Sequence, residues 1–348
     1  MQRFPGGKRP YAQGVFPAVL SRLLPDPRGA VMNRLLFPIL LATFAVASLS
    51  LPAMADTRTY EDQASFDFKR GGELVVEAAF LDVEVSIADI SRVEVEVYMK
   101  ITASGDKAEK MIEEYTPRYS EKGDRIVITS KQKKKIKWGG WSRGTRTEGW
   151  IKVRMPAGMG VVAGTASGDI RVTGDLGEHR LECDTASGDV ILDAAMDRLD
   201  VDTASGEVRA ELRGRVRSVN IDTASGDVEI RGGATEDIEV DTASGDIVAE
   251  GLTGRASFDT ASGDVRARWN ETPRDVDISV DTASGDARLW FPEDTRLSGW
   301  IDVASGDIDC DFPGRSSDRG RHFTFDGDSR DVRVEIDTAS GDVAVLRR

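Results

Sequence analysis

A short turn recurs along the second half of this 348-residue chain and limits what the chain can fold into. Eight Ser-Gly-Asp or Ser-Gly-Glu turns, most of them within Thr-Ala-Ser-Gly-Asp, follow one another at spacings of 18 to 22 residues, and a ninth comes 35 residues later. Repetition at this period is typical of a stack of similar units rather than of one globular core. The turn glycines are Gly168, Gly188, Gly206, Gly226, Gly245, Gly263, Gly285, Gly306 and Gly341.

Each repeat predicts two short strands separated by its turn. In residues 199–212, apolar and polar residues alternate on both sides of the Ser-Gly pair, with Leu199 and Val201 before it and Val208 after it on the apolar side. Such alternation is typical of strands, and glycine at the turn accepts a positive φ. One coil cannot bury its apolar row, but stacking at about 4.8 Å covers it. The predicted fold class is all-β: a β-solenoid with coils of about 20 residues and two strands each.

The N-terminal region has the pattern of an export signal. An apolar run from Leu35 to Leu51 follows Arg34 and precedes Ala53-Met54-Ala55, which has the small-x-small form of a cleavage site. We interpret residues 32–55 as a signal peptide and residues 1–31 as an upstream extension from a misplaced start codon. The run is short for a membrane span, so no transmembrane segment is expected in the mature chain. The alternative is an uncleaved N-terminal anchor.

The charge excludes one class of partner. The whole chain carries a net charge of −14, and the mature chain from Asp56 has 40 Lys and Arg against 59 Asp and Glu, a charge of −19. Because such a body repels polyanions, no nucleic-acid partner is expected. Together with the signal peptide, this indicates an exported protein of the periplasm, the cell surface or the medium.

Residues 56–157 do not follow the repeat. Short Val-rich runs predict strands, and the segment after Asp106 predicts a helix, with Asp106 and Glu109 as a capping box. Residues 102–106 spell the repeat motif, but this helix follows them directly, so we interpret them as a lookalike. The expected organisation is an N-terminal β-rich cap with one helix at 56–157, followed by the solenoid at 158–348.

A basic, tryptophan-containing segment at 131–150 stands out in an otherwise acidic protein. One interpretation is a contact loop for a surface glycan, an anionic lipid headgroup or an envelope protein. The other is a solvated hairpin loop whose tryptophans fold onto the cap. The candidate contact residues are Lys133, Lys134, Lys135, Trp138, Trp141, Arg143 and Arg146.

The repeat offers little for catalysis. Its serine occurs nine times in equivalent positions, whereas a nucleophile needs one activated copy beside a base, and the chain has only two histidines. A recurring turn aspartate indicates a structural role rather than a glycosidase carboxylate pair. We therefore expect no enzyme and no cofactor, with calcium held by stacked Asp and Ser oxygens as the alternative. Cys183 and Cys310 are both interpreted as small core residues.

The Thr-Ala-Ser-Gly-Asp repeats, together with the Val-rich segment that starts at Gly71, resemble the bacterial putative-adhesin β-strand repeat family, over roughly residues 66–348. That family is a domain of unknown function found in envelope and secreted proteins. The resemblance implies an adhesin-like binding or scaffold protein without catalytic residues. Two alternatives stay open: an envelope-stress or cell-wall-associated structural protein, and a carbohydrate-active enzyme on a β-helix. The basic segment at 131–150 has no counterpart in the family pattern.

Overall fold

The computed structural model describes residues 55–131, 144–328 and 332–348, which form one body. Its N-terminal third contains β1 (Ala55–Asp67), β2 (Glu73–Ala78), β3 (Asp82–Ile87), β4 (Arg92–Ser104), α1 (Lys107–Tyr115), β5 (Arg118–Lys122), β6 (Arg125–Ser130) and β7 (Arg146–Met155). The repeats then provide β8 (Gly160–Thr165), β9 (Ile170–Asp175), β10 (Arg180–Thr185), β11 (Val190–Ala195), β12 (Arg198–Thr203), β13 (Val208–Thr223), β14 (Val228–Thr242), β15 (Ile247–Leu252), β16 (Arg255–Thr260), β17 (Val265–Trp269), β18 (Asp277–Thr282) and β19 (Ala287–Phe291). The chain ends with β20 (Leu297–Val303), β21 (Ile308–Cys310), β22 (Gly314–Ser317), a 3-10 turn (Asp318–Gly320), β23 (His322–Phe325), β24 (Val332–Thr338) and β25 (Val343–Arg347).

The repeats stack as two facing walls. Strands that precede a Ser-Gly turn pair in parallel to form one wall, the pre-turn wall, as in β8–β10–β12. Strands that follow a turn form the post-turn wall, as in β9–β11–β13. The register keeps equivalent residues side by side, so that Cys183, Val201 and Ile221 lie in one row. The prediction of an all-β, solenoid-like fold with a long, mostly parallel sheet is confirmed.

Near each end of the stack, the chain order and the spatial order differ. At one end β2 lies between β6 and β8, and β3 lies between β7 and β9. Sequence analysis places β2 and β3 in the N-terminal cap, whereas the structure places them inside the stack. At the other end β24 lies between β18 and β20, and β25 lies between β19 and β21. The coil that is last in sequence is therefore next to last in space.

The core is a continuous apolar row between the two walls. Inward residues such as Val201, Ile221 and Phe258 are at most 1% exposed, and burying each one contributes roughly 1.5–3 kcal/mol. Cys183 is fully buried, as expected, but Cys310 is only partly buried because β21 is a short strand at the edge of the stack. Both thiols are free.

The outer end of the stack near the N-terminus is closed by antiparallel strands and α1. β4 pairs with β7, β1 pairs with β4, and β5 pairs with β6. The helix is present as predicted, but the capping box is wrong: the Asp106 side chain makes no cap hydrogen bond and lies 2.5 Å from Lys110 Nζ instead. The lookalike motif at 102–106 forms the end of β4 and a turn outside the ladder of repeat turns, as expected. No helix in the described part of the chain is long and apolar enough to cross a membrane.

Candidate functional site

The repeat turns lie on one edge of the stack, and their aspartates are bound to the neighbouring coil. At successive turns the backbone N–H of one turn aspartate donates to the Oδ1 atom of the aspartate in the adjacent coil, at 2.8 to 3.0 Å. We call this row of turn aspartates the turn ladder. Its bonds join Asp82 to Asp169, Asp169 to Asp189, Asp227 to Asp246, Asp246 to Asp264, Asp264 to Asp286, Asp286 to Asp342 and Asp342 to Asp307.

The turn ladder explains why the repeat requires aspartate. Each Oδ1 atom satisfies a backbone N–H that would otherwise lack a partner inside the stacked turns. The second oxygen is often engaged as well, as where Arg266 and Arg288 donate to Asp264 and Asp286 at 2.7 Å. These carboxylates therefore make contacts that hold the coils together, and those contacts leave them less available to a ligand.

Replacing Asp264 with alanine is expected to lower the free energy of unfolding by about 1–3 kcal/mol, because the N–H of Asp286 then loses its acceptor. Asp264→Asn is the matched control, since its amide oxygen still accepts that bond. Urea denaturation of both variants measures the difference. Equal stability of the two variants would contradict the structural role of the turn ladder.

Glycine in the turns is required by close approach rather than by its backbone angle. Only Gly306 and Gly341 among the nine turn glycines have a positive φ, of 151° and 157°, near the extended region. At Gly206 and Gly226 a Cβ would instead lie 1.9 Å from the carbonyl oxygen of the turn glycine in the adjacent coil. The expectation that the turn glycines provide a positive φ is therefore wrong for most of them.

The turn ladder is interrupted at one step. Glu207 takes the place of an aspartate, and no bond from the Asp227 N–H to the Glu207 carboxylate is present among the described residues. The Glu207 carboxylate contacts Arg209 instead. A shallow groove of about 370 Å³ lies at this step and is lined by Asp189, Ser205, Gly206, Glu207, Ser225, Gly226, Asp227 and Ser244.

A second row of carboxylates runs along the solvent face of the pre-turn wall. It is formed by the aspartate that precedes the turn threonine, or Val303 in the case of Asp302, and we call it the acidic ladder. Its members are paired in register from strand to strand, in the spatial order Asp184, Asp202, Asp222, Asp241, Asp259, Asp281, Asp337 and Asp302. Adjacent strands lie about 4.8 Å apart, so eight like charges are held in a row.

Four members of the acidic ladder hold protons more tightly than isolated aspartates do. Partial burial, followed by the charges of neighbouring carboxylates, raises the pKa of Asp184 and of Asp222 to about 6 and that of Asp259 to about 7. The same causes raise the pKa of Asp337. Asp302, at the end of the row, lies 2.5 Å from His322 Nδ1, whereas the other seven have no Lys or Arg within 4 Å in the described part of the chain.

The basic segment connects β6 and β7, two strands of the outermost coil. Ser130, the last residue of β6, pairs with Ala78 beside the turn position, and Ile151 of β7 pairs with Val83 just beyond it. In this coil residues 131–150 connect the two paired positions, whereas in the repeat coils Ala-Ser-Gly-Asp does so. Six candidate contact residues lie outside the described residues: Lys133, Lys134, Lys135, Trp138, Trp141 and Arg143.

The seventh candidate, Arg146, is described. It is exposed and begins β7, where it pairs with Thr102. Four residues further on, the Trp150 ring lies 6.0 Å from the Tyr98 ring, and Lys152 Nζ lies 4.8 Å from the Trp150 ring centre. A partly exposed aromatic pair with a cation thus lies close to the end of the basic segment.

A bound metal ion needs several side-chain ligands that converge on one point. In 55–131, 144–328 and 332–348, no group of three or more His, Cys, Asp or Glu side chains is arranged to hold a metal ion. Calcium stays the alternative raised by the sequence. The turn ladder competes with it, because the Oδ1 atoms already accept backbone N–H bonds.

Sequence reasoning missed two features of this surface. The acidic ladder could have been predicted from the sequence, because in most repeats an aspartate precedes the turn threonine and alternates with the inward residues. The contact of His322 with Asp302 had none, since it depends on which strand lies beside β20.

Comparisons with known proteins give the family but little else. Three solved structures resemble the chain: a putative adhesin from Parabacteroides merdae ATCC 43184 (11% identity, TM-score 0.45, 83% of this chain and 96% of that one), a putative adhesin from Parabacteroides distasonis ATCC 8503 (14%, 0.40, 82% and 97%) and a putative lipid binding protein from Parabacteroides distasonis ATCC 8503 (13%, 0.36, 82% and 96%). We draw nothing about function from likenesses this distant. No curated protein matches the chain. The Toastrack DUF4097 family profile matches residues 73–346, so the chain belongs to the Toastrack DUF4097 family.

Proposed function

We propose that this protein is an exported envelope or cell-surface protein with an adhesin-like role, in which the repeat turns are non-catalytic and the stack serves as a scaffold that presents the basic segment. The observation that carries this proposal is that the basic segment connects β6 and β7, two strands of the outermost coil. The repeat turns themselves are engaged in holding the coils together, as the turn ladder illustrates.

Charge supports an anionic ligand that binds at the end of the stack. Residues 131–150 contain seven Lys or Arg and a single acidic residue, Glu148. The turn ladder, which begins at Asp82, and the acidic ladder, which begins at Asp184 of β10, three strands along from β6, give the rest of the stack the opposite sign. A polyanion is attracted to the basic segment and repelled by the two rows of carboxylates, which restricts its binding to the end of the stack. An acidic surface polysaccharide, with sugar rings that stack on Trp138 and Trp141, fits both residue types.

Binding to an acidic polysaccharide is expected to weaken at least tenfold when Lys133, Lys134 and Lys135 are replaced by alanine, and to fall with added salt because the attraction is electrostatic. Calorimetric titration with polygalacturonate as the probe measures this effect. Trp138→Ala with Trp141→Ala tests the stacking contribution separately.

The matched control removes three exposed basic residues elsewhere, Lys110, Lys122 and Arg255, and so changes the net charge equally. If the control weakens binding as much as the segment variant does, net charge rather than the segment is responsible and the proposed contact is wrong. Unchanged binding by both variants removes the segment from the binding role. N-terminal sequencing of the protein recovered from cell fractions tests export, for which a start at Asp56 is expected.

A further inference from the structure

Three side chains form a hydrogen-bonded chain on the solvent face near the C-terminal end of the stack. β23 pairs antiparallel with β20, which places His322 opposite Asp302 and Thr324 opposite Trp300. His322 Nδ1 lies 2.5 Å from Asp302 Oδ1, and His322 Nε2 lies 2.9 Å from Thr324 Oγ1. The order is therefore carboxylate, imidazole and hydroxyl, with each contact within hydrogen-bond distance.

This order gives each group a defined chemical role. A carboxylate on Nδ1 fixes the tautomer that carries its proton there and leaves Nε2 free to accept the Thr324 proton. Removing that proton turns a weakly nucleophilic hydroxyl into an attacking group. Among the repeat serines no copy has such a base, because both histidines lie outside the turns.

The strands on either side of Thr324 add a cation and an aromatic ring to the same face. Arg315 on β22 and Trp300 on β20 are the direct Cα partners of Thr324. The Arg315 side chain is 87% exposed, and its Nε lies 3.6 Å from Asp326. A guanidinium beside the attacking oxygen can stabilise the negative charge that develops on a carbonyl oxygen.

Beyond the binding role, we propose that Thr324, His322 and Asp302 form a site that hydrolyses short carboxylic esters. Thr324 Oγ attacks the ester carbonyl carbon and its proton moves to His322 Nε2. The bond to the alcohol oxygen then breaks, and the alcohol leaves with that proton. Water attacks the acyl-threonine and gives its proton to Nε2, the acid departs, and the proton returns to Thr324. The sum is ester plus water to acid plus alcohol.

The position of the site sets the substrate class. Thr324 is exposed on the outer face of a sheet, and the His322 side chain is 35% exposed. An open strand surface admits unhindered esters of accessible hydroxyls, such as an acetyl group on a sugar. It provides no enclosure for a long acyl chain, so short acyl groups are expected to react faster.

Hydrolysis of 4-nitrophenyl acetate by the purified protein tests the site. Thr324→Val and His322→Gln are each expected to lower kcat/KM about 100-fold, the lower end of what general-base catalysis contributes. His179→Gln, at the other histidine, is the matched control and should leave the rate unchanged, whereas Thr324→Ser keeps the hydroxyl and should recover much of the activity that Thr324→Val loses. Asp302 acts as a positioning residue, so Asp302→Asn should lower the rate and Asp302→Glu should restore part of it. The octanoate ester should react more slowly than the acetate.

A fluorophosphonate probe supplies a second readout, because it labels an activated hydroxyl covalently and mass spectrometry locates the adduct. Labelling of Thr324 that His322→Gln abolishes is the expected result. If Thr324→Val keeps the wild-type rate while His322→Gln loses it, His322 acts as a free imidazole and the proposed nucleophile is wrong. Absence of both turnover and labelling overturns the proposal. Thermal midpoints close to that of the wild type establish that the variants are folded.

Discussion

Replacing Gly226 with alanine is expected to destabilise the protein by about 3–5 kcal/mol, a value at the upper end for one substitution. The added Cβ would lie 1.9 Å from the Gly206 carbonyl oxygen and 2.8 Å from its carbonyl carbon, so the two coils must move apart. That movement also strains the ladder bonds of adjacent turns, including the one between Asp227 and Asp246. Calorimetry should show the thermal midpoint falling by roughly 10 °C.

Gly164→Ala is the matched control for this prediction. Gly164 lies in β8 without a positive φ, and the nearest atoms to an added Cβ are 3.9 Å away, which is ordinary contact. Its expected effect is within about 0.5 kcal/mol. If the two alanine variants unfold at the same temperature, close contact between turn backbones is not the reason that the repeat contains glycine.

Raising the pH from 5 to 8 is expected to lower the stability that the acidic ladder contributes. Asp184, Asp222 and Asp259 have pKa values of about 6, 6 and 7 in the folded protein, against about 3.9 in an unfolded chain. Between about pH 4 and pH 7 the folded state therefore binds more protons than the unfolded state. Stability then falls as the pH rises through this window, and the loss is complete above the folded pKa values.

The expected loss is about 1 kcal/mol for each of these carboxyls, because each is partly exposed and solvent screens the repulsion. Thermal midpoints measured at several pH values should decrease accordingly, and less so in high salt. A variant with Asp184→Asn, Asp222→Asn and Asp259→Asn should be more stable at pH 8 and should lose much of the slope. Asp264→Asn in the turn ladder is the control and should leave the slope in place. A slope unchanged by the triple variant would contradict the role of the acidic ladder.

The sequence predicts the middle of the molecule well, for a physical reason. Period-two alternation decides which residues face inward, and a repeat of constant length keeps the same residues level in successive coils. The alignment of Cys183, Val201 and Ile221 in one row could therefore be predicted from the sequence. The order of strands at the two ends could not be predicted in this way. The residues of β2 and β24 do not indicate that β6 and β20, respectively, lie on their outer sides.

The surface was less predictable than the fold. The sequence identified the turn aspartate as structural but not the bond to the next coil, because that bond depends on the spacing of two backbones. Prediction of the acidic ladder would have required only the strand register, which the constant repeat length already implies. The contacts of His322 depended on the antiparallel return of β23 onto β20, which has no counterpart in the repeat.

The difference between chain order and spatial order at the C-terminal end also bears on how the molecule assembles. β20 and β21 are made before β24 and β25, yet they reach their final neighbours only when the later pair lies between them and the rest of the stack. Growth of the stack coil by coil in the order of synthesis therefore cannot complete the fold. The last seventeen residues close a gap of long sequence separation, a type of contact that forms slowly. Until they arrive, two open strand edges face each other, and this is the stage at which the chain is most exposed to wrong pairing.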